Sequence, residues 1–168
     1  RETLSEMLLK NFTETWTQWA HQMHSMTRNQ AHGSPGKGWD VDSSVDIPEI
    51  ESYGSSHFDI PGLPEDSLGG RPGELDPLLL KFASSAAHVS GKKFASSETF
   101  TWLGEHFRVS LSQCKPVLDE MWLSGINHVF FHGSPYSPKD APWPGWQFYA
   151  AVDFSHYNTF WRDIPAFD

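Results

Sequence analysis

Apolar residues fall in two rhythms along this chain. From residue 2 to about residue 23, Leu4, Leu8, Leu9, Phe12, Trp16, Trp19 and Met23 recur at spacings of three and four, with no Gly or Pro between them. That period predicts a helix with these side chains inward. A second run predicts a helix from about residue 74 or 75 to 90, with Leu78, Leu79, Phe82, Ala86 and Val89 inward. Gly91 is placed to close it in the left-handed conformation. Ser110 and Gln113 form a capping box for a third helix reaching residue 124, which Gly125 ends. Pro116 inside that segment predicts a late start or a kink. Residues 24–31, 45–50, 93–98 and 127–131 read as extended. Residues 32–44 and 132–145 are turn-rich, residues 53–73 read as a long loop, and residues 157–167 read as a helix that Pro165 stops.

Helices alternating with strands predict an α/β fold on a parallel sheet. The stretches rich in Gly, Pro and polar residues follow strands, whereas the connections at residues 90–92 and 124–126 that lead into strands are short. In parallel α/β folds the carboxyl ends of strands carry the site. An internal echo points the same way. His32-Gly33-Ser34-Pro35 recurs as His132-Gly133-Ser134-Pro135, each just past an expected strand. Either Gly-Ser-Pro merely makes a tight turn, or both histidines reach a common opening.

Length and charge narrow the partners. A chain of 168 residues is the size of one domain. With 12 Lys plus Arg against 21 Asp plus Glu, the net charge of −9 argues against nucleic acid or an anionic membrane surface. No apolar run approaches the roughly 20 residues that span a bilayer. Cys114 stands alone, which excludes an internal disulfide and a cysteine-cluster zinc site. The chain opens at Arg1 without a signal-peptide pattern, as expected of a mature product or an excised piece. Eight Trp, 12 Phe and 4 Tyr supply either a ring-rich core or flat faces that stack on pyranose rings.

Three carboxylates stand at expected strand ends: Glu49, Glu51 and Glu98. Glycosidic bonds are cleaved by two carboxyl groups, one protonating the leaving oxygen and the other attacking or activating water. Strand alternation puts Glu49 and Glu51 on one face. Glu98 has Phe100 and Trp102 nearby to exclude water. Each carboxylate could equally be solvated or held in a structural ion pair. Arg28 needs a partner, with Glu51 or a ligand hydroxyl as the expected one. Trp143, Trp146 and Tyr149 lie in a loop, as stacking platforms or a lid. Gly-rich phosphate loops and the His-Glu-x-x-His zinc motif are absent from the sequence.

The blocks 27–35, 46–51, 84–92, 97–102 and 125–145 resemble, in order, the large bacterial glycoside hydrolases of the α-L-rhamnosidase type. The resemblance implies a partial (β/α)8 barrel of about four βα units, residues 1–168 being one domain from its later half. It implies an inverting hydrolase in which Glu51 is the first candidate for the general base and Glu98 the second. Arg28, Gln30, His32, Trp102, His132 and Trp146 become the expected sugar-binding residues. Some members carry a calcium ion, so Ca2+ is an expected, uncertain cofactor. The proton donor is expected on an earlier strand outside this chain, leaving the isolated chain inactive. A complete barrel takes about 250 residues, so the remainder of a parent enzyme or a second copy is expected to cover the open edges. The family's role in breaking down external polysaccharide implies a secreted or periplasmic protein. Two other readings stay open: a non-catalytic carbohydrate-binding protein and a His/carboxylate metal hydrolase.

Overall fold

The computed structural model describes residues 2–53, 77–104 and 107–167. The elements run α1 (Glu2–Leu8), a π-helical stretch (Leu9–Glu14), α2 (Thr15–Gln22), β1 (Arg28–Gln30), α3 (Gly38–Ser44) and β2 (Ile47–Tyr53). They continue with α4 (Pro77–Val89), β3 (Ser96–Thr101), α5 (Leu111–Leu123), β4 (His128–Phe131), a 3-10 turn (Trp161–Asp163) and α6 (Ile164–Phe167). The strands form a four-stranded parallel sheet in the order β1-β2-β3-β4. Each strand is followed by a helix, as four βα units of a partial barrel require. No helix among the described residues is long and apolar enough to cross a membrane.

The chain divides into two compact units. The first comprises the described residues up to 51 together with 77–97 and 122–129. Its core is built from small aliphatics, among them Ala20, Ala31, Val41, Val45, Ile50, Leu80, Ala83 and Ala86. β1 and β2 pair in parallel with Arg28 opposite Ile47 and Gln30 opposite Glu49. Asp46 fastens the entry to β2. Its carboxylate accepts from the Thr27 N–H at 2.7 Å and pairs with His21 Nε2 at 2.9 Å. Burial works to raise the Asp46 pKa, but the Thr27 amide, His21 and the Thr27 hydroxyl together hold it below the usual value.

The helical period at the start of the chain is real, but its inward face is only partly as expected: Leu8, Leu9 and Trp16 are half-buried, and Phe12 and Met23 are exposed. Ser5, Thr13, Thr17 and Ala20 are the buried residues, while Leu4 is 68% and Trp19 59% exposed. Small side chains form the buried face there, with Thr17 Oγ1 3.2 Å from Thr27 Oγ1. α4 shows the same outcome at its ends: Leu78 and Val89 are exposed, and Leu80, Ala83, Ala86 and Ala87 are buried. Pro77 opens α4 at the first helical position, where its missing N–H would have had no intrahelical partner. Gly91 closes it at φ +66°, as the sequence predicts. Residues 54–73 of the expected long loop and the expected helix start lie outside the described residues.

The second unit comprises the described residues 52–53, 98–104, 107–121 and 130–167. Phe100, Leu103, Val109, Val117, Leu118, Met121, Val152 and Phe154 form its core. Phe100, Phe131 and Phe154 meet in a cluster with centroids 5.0–5.3 Å apart. Cys114 is buried within it, and burial pushes its thiol up to about 12, so it is a packing residue. α5 begins directly after Ser110, whose N–H donates to Gln113 Oε1 at 3.0 Å, and it accommodates Pro116 within its length. Three further departures concern short elements. Residues 38–44 of the expected turn form α3, β3 lies at 96–101 where 93–98 was expected, and Pro165 sits inside α6 without ending it. Pro is tolerated in the first turn of a helix, where its N–H would have no partner.

Candidate functional site

In the first unit the site is built on adjacent parallel strands. Alternation places Glu49 and Glu51 on one face of β2, with Ile50 fully buried on the other. Glu49 is 4% exposed and is the centre of a polar network. Arg28 Nη1 lies 3.3 Å from its Oε2, Gln30 Nε2 donates to Oε1 at 3.1 Å, and Ser96 Oγ donates to Oε2 at 2.7 Å. The carboxylate paired with Arg28 is therefore Glu49, where Glu51 was expected. The register explains it: Gln30 stands opposite Glu49, so the face of β1 that carries Arg28 and Gln30 meets Glu49 first.

His32 follows β1 and brings its Nε2 to 3.6 Å from Glu51 Oε2. Both side chains are largely buried, within ion-pair reach and beyond hydrogen-bond length. Behind them lies Asp42 on α3, a residue to which the motifs did not point. It is 1% exposed, and neither carboxylate oxygen has a hydrogen-bond partner among the described residues. Burial raises its pKa to about 7, against the opposing pull of His32 and the nearby Ala31 backbone. The signal was hidden because residues 32–44 read as turn; a helix from Gly38 would have shown Asp42 one turn from the helix start, beside buried Val41.

This shift has a pH consequence. A carboxyl whose folded pKa lies above its unfolded 3.8 contributes stability that is complete below 3.8 and is lost as pH rises to about 7. Asp42→Asn removes that dependence. Relative to wild type, the variant is expected to gain on the order of 4 kcal/mol between pH 3.8 and 7, as an upper figure, and nothing further above. Denaturant midpoints of the two proteins across pH 4–8 check this; parallel curves would show that Asp42 titrates normally.

In the second unit the repeated tetrapeptide yields the same pairing. His132 Nε2 lies 3.6 Å from Glu98 Oε1. The His132 ring meets Phe148 edge-on at 5.3 Å, its backbone N–H donates to Thr99 O at 2.8 Å, and its Nδ1 is buried with no hydrogen-bond partner among the described residues. Phe100 and Trp102, just beyond Glu98, take positive φ of 82° and 59°. Bulky side chains enter that region at a cost of about 1–3 kcal/mol, and such positions cluster at functional sites. Packing and hydrogen bonds hold them there: Phe100 N–H donates to Ser52 Oγ at 2.9 Å, and Trp102 N–H donates to Ala150 O at 2.9 Å. Trp102 meets Tyr149 edge-on at 5.2 Å. Trp146 is 63% exposed on a loop that its N–H fastens to Ser137 Oγ at 2.7 Å.

Arg28 and Gln30 thus meet at Glu49, His32 meets Glu51, and Glu98 meets His132, while Trp102 meets Tyr149 and Trp146 is exposed. Among the described residues no group of three or more His, Cys, Asp or Glu side chains is arranged to hold a metal ion.

Residues 1–166 match the family model described as alpha-L-rhamnosidase. The chain is 28% identical over 173 aligned residues to the protein named "Putative beta-glucuronidase" in Formosa agariphila, an alignment covering 99% of this chain and 13% of that protein. The structure of a rhamnosidase from Novosphingobium sp. PP1Y shares the fold, with a TM-score of 0.61 at 20% identity over 79% of this chain and 12% of that one. The chain therefore spans about an eighth of the length of these relatives. With a family match over nearly every residue, the chain belongs to the α-L-rhamnosidase family of glycoside hydrolases, family 106.

Proposed function

We propose that the chain is the later half of the catalytic (β/α)8 barrel of an inverting glycoside hydrolase acting on α-L-rhamnosides, with Glu51 as the general base. The observation that carries this is Glu51 toward the carboxyl end of β2 with the His32 imidazole 3.6 Å away. A carboxylate so placed can take a proton from water while the water attacks the anomeric carbon from the face opposite the leaving group. Glu98 with His132 is the second candidate carboxylate, and Arg28, Gln30, Trp102 and Trp146 bind sugar. Protonation of the leaving oxygen falls to a carboxyl group outside this chain.

The partner is carbohydrate together with the remainder of the parent enzyme, which would cover the apolar side chains exposed along α1, the π stretch and α2: Leu4, Met7, Phe12, Trp19 and Met23. Breakdown of polysaccharide outside the cytoplasm is the role this reading assigns. Two measurements test it. Proton NMR of the first rhamnose released from an aryl α-L-rhamnoside by the full-length protein should show the β anomer, and an α anomer would mean retention. The isolated 168 residues should release none; turnover by them would refute the external proton donor.

A further inference from the structure

Asp42 on α3 is a buried acid that the general-base reading leaves unused. It is 1% exposed, and both carboxylate oxygens are buried with no hydrogen-bond partner among the described residues. Keeping such a group unsatisfied costs stability, so a fold that retains it has a use for it.

Its surroundings indicate the use. The charged groups that act on the Asp42 carboxyl are His32, just past β1, and Glu49, on β2. The π-helical stretch and α4 also pack on α3. Their Lys10, Lys81 and His88 are exposed, while Glu14 and the Asp40 of α3 itself are half-buried. Apolar side chains close the entry to the helix: a Cβ at Gly36 would lie 3.2 Å from Leu8 Cδ2, and one at Gly38 would lie 3.1 Å from Phe82 Cε1. His32 turns its Nε2 to Glu51 at 3.6 Å, and its Nδ1 is buried. A neutral imidazole carries one N–H, and what Nδ1 meets decides which nitrogen holds it.

We propose that Asp42 is a positioning residue for the general base, its carboxyl deciding which nitrogen of His32 presents a proton to Glu51. The proposal rests on the reading of Glu51 as base and adds a residue that touches neither water nor substrate. A protonated Asp42 donates to Nδ1 and keeps the N–H on Nε2, where it holds the Glu51 carboxylate in place. Once that proton is lost, the carboxylate accepts from Nδ1–H, and Nε2 faces Glu51 without a hydrogen. Burial raises the Asp42 pKa to about 7, which puts this change within reach of a kinetic profile.

The test is the pH profile of kcat/KM for an aryl α-L-rhamnoside, measured on full-length wild type, Asp42→Asn and Asp42→Leu. An amide can donate to Nδ1 at every pH, so the ratio of Asp42→Asn to wild type should rise about threefold or more between about pH 6 and about pH 8. Taking the ratio cancels the titration of other groups, including the external proton donor. Asp42→Leu should lose about tenfold in kcat near pH 6 with KM within about threefold, and should cost no more than about twofold when His32→Gln is already present. A flat ratio, or a Leu penalty undiminished beside His32→Gln, overturns the proposal. If Asp42→Leu does not fold, the Asn ratio decides alone, since Asn keeps the shape of the side chain. Full turnover by Glu51→Gln would remove the base reading and this proposal together, whereas a flat ratio with Glu51→Gln inactive removes only the role of Asp42.

Discussion

Glu51→Gln in the full-length enzyme is expected to lower kcat on an aryl α-L-rhamnoside by about 10²–10⁴-fold, with KM changed only a few-fold. The amide keeps the shape of the carboxylate and cannot take a proton from water, so the loss falls on the chemical step. Stability should change little, because the position is not fully buried and Gln can still meet His32. Glu98→Gln is the internal comparison. If Glu51 is the base, the Glu98 variant retains more of kcat than the Glu51 variant does. A larger loss at Glu98 would move the base to the His132 pair, and equal retention of activity in both would remove acid–base work from these strands.

Much of the frame was legible in the sequence, and what was not has a physical cause. Parallel α/β order followed from helix periods separated by short β segments, and Gly91 and Gly125 both take the positive φ that a helix stop requires. Each histidine of the repeated His-Gly-Ser-Pro comes to 3.6 Å from a strand glutamate. Periodicity could not say which side of the first helix faces inward. A stripe of Leu, Phe and Trp and a stripe of Ser, Thr and Ala run along the same helix, and the small one holds the buried residues. Asp42 and Asp153 escaped notice for another reason. Each has a buried oxygen without a hydrogen-bond partner among the described residues, which tertiary packing decides, and at Asp42 the turn reading of 32–44 also hid the helix that carries it.

The Arg28–Glu49 network carries the second large effect, and it is asymmetric. Arg28→Met is expected to destabilise the protein by roughly 2–3 kcal/mol, whereas Glu49→Gln should cost about 1 kcal/mol. Removing the cation leaves a carboxylate with 5% side-chain exposure, supported then by Gln30 and Ser96. Removing one partner of a fully buried pair costs about 3–5 kcal/mol. The smaller figure reflects the 40% exposure of the Arg28 side chain, which already weakens the pairing by solvent screening. In Glu49→Gln the Arg28 side chain is already 40% exposed, the amide oxygen can still accept from Gln30, and the Ser96 hydroxyl can rotate to accept from the new NH2 group. Denaturant unfolding of both variants measures the ordering. Activity separates the roles further: if Glu49 is a positioning residue that sets the register of β1 against β2, its Gln variant keeps most of kcat while Glu51→Gln does not. A folded Glu49→Gln protein without turnover would instead make Glu49 the base, two residues earlier on the same strand face.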